Sequence, residues 1–544
     1  MKKNILLYAC AALMLCGSCS DFLDTYPYDA LSPATTWETE DDAEKFLVGC
    51  YDGWMRGEDF VEWDNQSDIG YNFHAHEGNQ QIGNGTLSAS NPGNSVYSYT
   101  RIRRCITLLD NIDKVTFSDE SKKKDIIAQA KTIRAYDYFK MNFRYGGVPI
   151  IDAYTSADEA KVPRKSEEEV KKYIYDELDA AISGFNDEAK ARGYVTKGTA
   201  LAVKMRSALY WGDYQRALDA AKAIKDLNIY KLENSYAKLF TLDGRDSKEI
   251  ILSVQHLKPN KVEWIITLLN NGEGGWGSNV PTQNLIDMYE MADGKTKEES
   301  SDYDPKYPFY NRDPRMAMTV LYPGQNWKGG VLNTLDKKLI VTENGKTDTI
   351  NNPDYPTAAD NSSKTCLTWA KYVVPLEQYG GDYENTNMCQ IVFRYAEVLL
   401  TIAEASNELS GPFDEVYDAL DEVRKRANMP EVDRAKYGTK EALRELIRRE
   451  RTVELAGEGH RRADILRWKD AAGKMLAETV LNGSLTRIVG TIDDSATEEG
   501  KRAAIDPDQT EVIETRIFKP HMRYLPIRQS DMDKNPQLVQ NSGY

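Results

Sequence analysis

Apolar residues recur at steps of three and four through the stretch 393–468, which predicts three successive amphipathic helices. The first opens at Phe393-Arg394-Tyr395 and buries Tyr395, Val398/Leu399, Ile402 and Ala405, with Gly411-Pro412 as its stop. A second carries Val416, Ala419/Leu420, Val423 and Ala427 and closes at Pro430. The third starts near Thr439, an N-cap with Glu441 in the first turn. Its apolar face is Leu443, Leu446/Ile447, Val453 and Leu455/Ala456, before Gly457 and Gly459. Antiparallel helices joined by short turns cannot bury their apolar faces alone, so such pairs stack.

The same period returns earlier in the chain. Helices are predicted over Thr39–Gly53, Tyr97–Val115, Ser121–Tyr145 and Ser166–Phe185. Ser166 with Glu169 forms a capping box. Residues 199–228 read as a tetratricopeptide-like helix-turn-helix. Large residues occupy its first helix, Gly212 its turn, and Ala217 and Ala220-Ala221 its second, so Trp211 is a core residue. Pairing the segments gives about four helix-turn-helix units. Two stretches break the period. Residues 55–94 mix Gly, Asn, Gln and Asp with Trp63, Tyr71, Phe73, His74 and His76. An irregular segment of about 40 residues is functional or disordered, and its aromatics argue against disorder. Residues 231–390 form a loop-rich insertion with short strand-like runs such as Glu249–Val254. The fold class is therefore mainly α, a helical scaffold at about 95–230 and 391–470 with inserted loops.

The net charge of −16 argues against nucleic acid and against peripheral binding to anionic lipid. Tyr outnumbers Phe by 32 to 13, which suits a surface offering flat apolar faces in water, although packing accounts for most of them. Lys2-Lys3, the apolar run Ile5–Leu15 and Gly17-Ser18 before Cys19 form a signal sequence too short to span a bilayer. The pattern is that of a lipoprotein acylated, as with palmitate, on Cys19. Cys16 stands where Leu is usual, and cleavage at Cys10 would leave almost no apolar region. The alternative is plain secretion, with Cys19 a chance thiol. Residues 1–18 are then the signal, 19–38 a tether and 39–544 one domain. Cys50, Cys105, Cys366 and Cys389 lack zinc spacing and are expected to be buried thiols.

Glu450 and Glu454 lie four apart on one helix face, as a glycosidase or metal pair would. The many nearby arginines favour an ion-pair network instead, with Arg451, Arg461 or Arg462 as partners. His74-Ala75-His76-Glu77 carries two histidines two apart without an evident third ligand, so it reads as a loop contact and no metal is assigned. Acids near Asp302 and Asp304 lack the EF-hand spacing. No P-loop, His-Glu-x-x-His or Gly-x-Ser-x-Gly motif stands out, and no cofactor is assigned.

Motifs along the whole mature chain resemble the SusD/RagB family of surface nutrient-binding lipoproteins. They include Arg394-Tyr395-Ala396-Glu397, Ala403-Glu404-Ala405, Glu450-Arg451, Glu454-Leu455, Glu458-Gly459, Asp464 and Arg467-Trp468. Arg134-Ala135-Tyr136, Gly147-Val148-Pro149, Asn311-Arg312-Asp313-Pro314-Arg315 and the tail from Tyr524-Leu525-Pro526 to Tyr544 add to them. The resemblance implies a non-enzymatic protein of the cell outer membrane that captures oligosaccharide and passes it to a TonB-dependent, SusC-like transporter. A RagB-type oligopeptide binder is the alternative, and a surface glycoside hydrolase a remote one. It also implies that Glu450 and Glu454 are structural.

Sugar recognition wants flat rings against C–H faces, with amides, carboxylates and Arg for the hydroxyls. The candidate ligand residues are Trp63, Asp68, Asn72, His74, Trp276, Tyr310 and Trp327. The segments 55–94 and 272–327 are expected to meet away from the helix-pair stack, with Trp276 as platform, Trp63 or His74 facing it, and Asp68 and Asn72 bonding hydroxyls. Trp264, Tyr303, Tyr307, Trp369, Tyr372, Tyr379 and Tyr383 complete the expected exposed aromatics.

Overall fold

The computed structural model describes residues 37–544 except 56–57, 154–155, 187–189, 259–263, 374–375, 380–381 and 384–385. Cys19, the signal and nearly all of the tether lie outside the described residues. The helices used below are α1 (Glu40–Tyr51), α2 (Glu58–Asn65), α3 (Asn79–Asn84), α4 (Thr100–Asn111), α5 (Glu120–Tyr145) and α6 (Glu167–Gly184). They continue with α7 (Lys197–Tyr210), α8 (Tyr214–Asp226), α9 (Tyr395–Ser410), α10 (Asp414–Arg426), α11 (Lys440–Glu454) and α12 (Arg461–Arg467). The strands are β1 (Gly70–Asn72), β2 (Ile250–Val254), β3 (Asn279–Pro281), β4 (Gln390–Arg394), β5 (Gly483–Ile492) and β6 (Ala503–Arg516).

Local chemistry sets the helix ends. Thr39 and Ser166 each form a capping box, with Asp42 and Glu169, and Thr439 accepts from the Ala442 amide. The turn between α7 and α8 runs through Gly212 at φ +75°. Trp211 at this turn is half-buried, its ring edge-on to Phe139 at the rim of the core.

Helices pack in sequential antiparallel pairs, α5 on α6, α7 on α8, and α9 on α10. The α9 helix also packs on α8, so helices separated by the insertion form one continuous array. That closure is possible because the insertion leaves and re-enters at one place. Its first strand, β2, pairs antiparallel with its last, β4. The pairing corrects one expectation: Gln390–Arg394 is strand, and the helix opens at Tyr395. The insertion has its own apolar cluster, including Leu285, Tyr289, Phe309, Trp369 and Tyr372, beside the main helical core. The sheets among the described residues are all two-stranded. The longest pairs β5 with β6, in a segment where no strand was expected.

Cys50, Cys105, Cys366 and Cys389 are buried free thiols. No helix among the described residues is long and apolar enough to cross a membrane.

Glu450 and Glu454 sit in an ion-pair network, but its arginines come from farther away than expected. Arg315 bonds both, at 2.6 and 3.0 Å; Arg424 adds to Glu450 at 2.9 Å, and Arg394 to Glu454 at 2.7 Å. Of the partners first expected, Arg451 instead binds Asp464, Arg461 binds Asp68, and Arg462 donates to the Gln66 carbonyl. Residues adjacent on a helix point in different directions, so neighbours in sequence make poor partners across it. Burial alone would raise both glutamates. The guanidiniums outweigh it and hold Glu450 below, and Glu454 well below, the usual carboxylate range. Neither carries the proton that a glycosidase acid must supply.

Candidate functional site

The two irregular regions meet in a short ladder. β1 runs antiparallel to β3, with Gly70 opposite Pro281, Tyr71 opposite Val280 and Asn72 opposite Asn279. Behind it lies a buried amide cluster. The Asn279 carbonyl oxygen accepts from Nδ2 of Asn65 at 2.5 Å and of Asn72 at 2.9 Å, and its own amide donates to Thr267 at 2.7 Å. Interlocked amides of this kind fix the register of strands that carry little apolar surface.

Beyond the Asn72–Asn279 pair the strands part and surface aromatics appear. Phe73 and Trp276 are both 37% exposed, so each presents part of its ring to solvent. The Lys364 ammonium lies 4.7 Å from the Phe73 ring centroid. The Trp276 loop is pinned by its backbone. Trp276 donates its amide to the Ile266 carbonyl at 3.0 Å, and Gly272 donates to Asp354 at 2.7 Å. Gly277, at φ +50°, has no room for a side chain, since a Cβ there would sit 2.4 Å from the Asn361 oxygen. Glu273 in the same loop pairs with Lys328, beside Trp327, and Lys328 also reaches the Tyr383 hydroxyl at 3.3 Å.

The expected site residues divide accordingly. His74 and Trp276 stand on the strand extensions past the ladder, and Trp327 is linked to the Trp276 loop through Lys328. Trp327 is half-buried over a cleft of about 360 Å³ that Phe240, Met318, Tyr372 and Gln378 also line. Tyr310 bonds Glu498 at 2.9 Å, and the Lys501 ammonium lies 4.1 Å from its ring centroid. The turn holding Glu498 and Lys501 also holds Arg502, which bonds Asn326 at 2.6 Å, so Tyr310 and the Trp327 strand converge there.

Four expectations are corrected. Asp68 is 1% exposed and grips Arg461 through two bonds, so its carboxylate is taken. Asn72 is fully buried in the amide cluster and bonds Glu77 and Asn279, not surface hydroxyls. Trp63 lies on α2 with the Arg144 guanidinium 4.5 Å from its ring centroid, lining a small internal cavity with Tyr136, Phe139 and Tyr210. Trp369, Tyr372 and Tyr379 are buried in the insertion's core rather than displayed. The Trp264 side chain falls outside the described residues. The segment 55–94 is only partly irregular, since it holds α2, β1 and α3. Asp64 explains how so polar a helix as α2 persists. Its carboxylate accepts the backbone amides of Gly457, Gly459 and Arg461 at 2.8 to 3.1 Å. Phe73 and Lys364 were missed. Phe73 offered a weak signal, an aromatic following a short β-prone run, and Lys364 offered none.

The comparisons agree with this architecture. A family model described as the SusD family matches residues 238–544, and a second, described as "Starch-binding associating with outer membrane", matches residues 21–209. SusD-like protein P25 of Formosa agariphila is 24% identical over 516 residues, covering 86% of this chain and 90% of that one. Among solved structures, a SusD-like carbohydrate-binding protein of Bacteroides fragilis superposes with a TM-score of 0.78 at 26% identity, covering 93% of this chain and all of the other. Surface glycan-binding protein A from Bacteroides uniformis shares the fold, with a TM-score of 0.66 at 21% identity over 92% of this chain and 99% of that one. The chain belongs to the SusD family.

Proposed function

We propose that this protein is a surface glycan-binding lipoprotein of the outer membrane, non-catalytic, which captures oligosaccharide and delivers it to a partner TonB-dependent, SusC-like transporter. The observation that carries the reading is the pair of exposed rings, Phe73 and Trp276, on the two strand extensions past one ladder. Rings presented on a pinned backbone suit the C–H faces of a sugar, and Lys364 and Asp354 nearby can bond hydroxyls. The names of the B. fragilis and B. uniformis proteins, and the outer-membrane description of the family model matching residues 21–209, support the same reading. Acylation of Cys19 supplies the anchor. Trp276, His74, Tyr310 and Trp327 stay as ligand candidates, with Phe73 added.

A RagB-type oligopeptide ligand is the competing reading, since stacked rings and amides also hold peptides. An array of glycans and peptides probed with the purified protein separates the two. Binding to glycans, with no shorter fragments after prolonged incubation, is the expected result. Binding to peptides alone overturns the glycan assignment, and release of fragments overturns the non-catalytic one. Gentle extraction followed by affinity purification tests the transporter, which is expected to co-purify.

A further inference from the structure

The turn that follows β1 gathers three ligating side chains, of which the proposed sugar site uses His74 alone. We infer that His74, His76 and Glu77 form a binding site for a divalent cation of the zinc class. One ligand atom from each lies within 4.8 Å of the others, and the two imidazole rings are 5.4 Å apart at 70°. Glu77 is thus the third ligand whose lack kept the two histidines from reading as a metal motif.

The turn is built rather than loose. The Asn72 side-chain oxygen accepts the His74 amide at 2.9 Å, and the His74 carbonyl accepts the Glu77 amide at 3.0 Å. The turn closes at Gly78, φ +79°, where a Cβ would lie 2.5 Å from the Asn94 nitrogen. Asn72 and the His74 carbonyl thus place the backbone of the turn independently of any ligand. Asn72 also donates to Oε2 of Glu77 at 2.6 Å while its amide is held by Asn279. A buried amide that orients one carboxylate oxygen and leaves the other free is the outer-shell support usual behind metal ligands.

A second observation points to a missing partner. The Nε2 atom of His74 is shielded from solvent and has no hydrogen-bond partner among the described residues. An imidazole nitrogen left so carries a desolvation cost that a coordinated cation removes.

The donor set selects the ion. Two imidazoles and a carboxylate suit zinc, copper or nickel, whereas calcium and magnesium want six or more oxygens. Metal–ligand bonds of about 2.1 Å put tetrahedral ligands about 3.4 Å apart, so no pair in the group need close by more than about 1.4 Å. His76 is exposed and Glu77 half-buried, so side-chain rotation alone can supply that movement. Three protein ligands leave a position open on the exposed side.

The test uses the full chain, without a polyhistidine tag, stripped with a chelator and titrated with Zn²⁺ by calorimetry, with Ca²⁺ run in parallel. One Zn²⁺ per chain and no Ca²⁺ at this site are expected. His76→Ala, at an exposed position, should weaken Zn²⁺ binding by about tenfold or more while leaving the melting temperature of the metal-free protein unchanged. Glu77→Gln should weaken it as well. The inference is overturned if the parent chain takes up no Zn²⁺ at about 1 mM, or if His76→Ala binds as the parent does. Neither readout involves glycan, so the result stands apart from the proposed function.

Discussion

Asp68 and Arg461, 393 positions apart, meet in a two-bonded ion pair, at 2.8 Å to Nε and 2.7 Å to Nη2, with both side chains buried. The contact ties the chain just ahead of β1 to the start of α12, so the helical scaffold positions the ladder that presents Phe73 and Trp276. Removing one partner leaves a buried charge without its counterion. Asp68→Ala should therefore destabilise the fold by about 3–5 kcal/mol, seen as a lower urea midpoint. A ligand-contacting Asp68 would instead weaken glycan binding and leave that midpoint in place.

Trp276 is the opposite case. Its ring is more than a third exposed, and its loop is held by backbone bonds that truncation of the ring leaves in place. Trp276→Ala should weaken glycan binding by about 2 kcal/mol, around thirtyfold, with the melting temperature nearly unchanged. Calorimetry on an array-identified glycan reads the first quantity and a thermal melt the second. Unaltered affinity would remove Trp276 from the site.

Acid should act through Glu404. Burial alone would raise its pKa, but the Arg467 guanidinium, 2.8 Å away at Nη2, and the Trp468 indole at 2.9 Å more than offset it and bring it to about 2. An unfolded glutamate titrates near about 4.3, so the folded state favours the charged form. The resulting stability is present above about pH 4.3 and is lost as the pH falls toward 2. Glu404→Gln should lower the urea midpoint clearly at pH 7 and much less at pH 3. An equal loss at both values would mean that packing, not charge, sets the contribution.

The anchor is tested at Cys19. On the proposed acylation, Cys19→Ala should move the protein from the membrane fraction to the soluble fraction, because each buried CH₂ of an acyl chain contributes about 0.8 kcal/mol to membrane attachment. Retention after a salt wash would point to another attachment.

The helical scaffold was legible in the residue pattern because its determinants are local. The 3.6-residue period, the Thr39, Ser166 and Thr439 caps and the Gly411 stop act within a few positions, and each appears where it was read. The insertion between the two helical blocks was legible for the same reason, as a break in that period.

What the pattern could not hold is the partner of each polar side chain. Asp68, Asn72 and Trp63 have the composition of a binding loop, and only the arrival of Arg461, Asn279 and Arg144 turns them into structure. Glu77 became a third ligand because a turn closed by Asn72 brings it back toward His74, a matter of backbone direction and not of spacing. Period and capping thus determined the scaffold from the sequence alone. The tertiary structure decided which polar groups face solvent, because a charge or amide is free or spent according to what the folded chain sets against it.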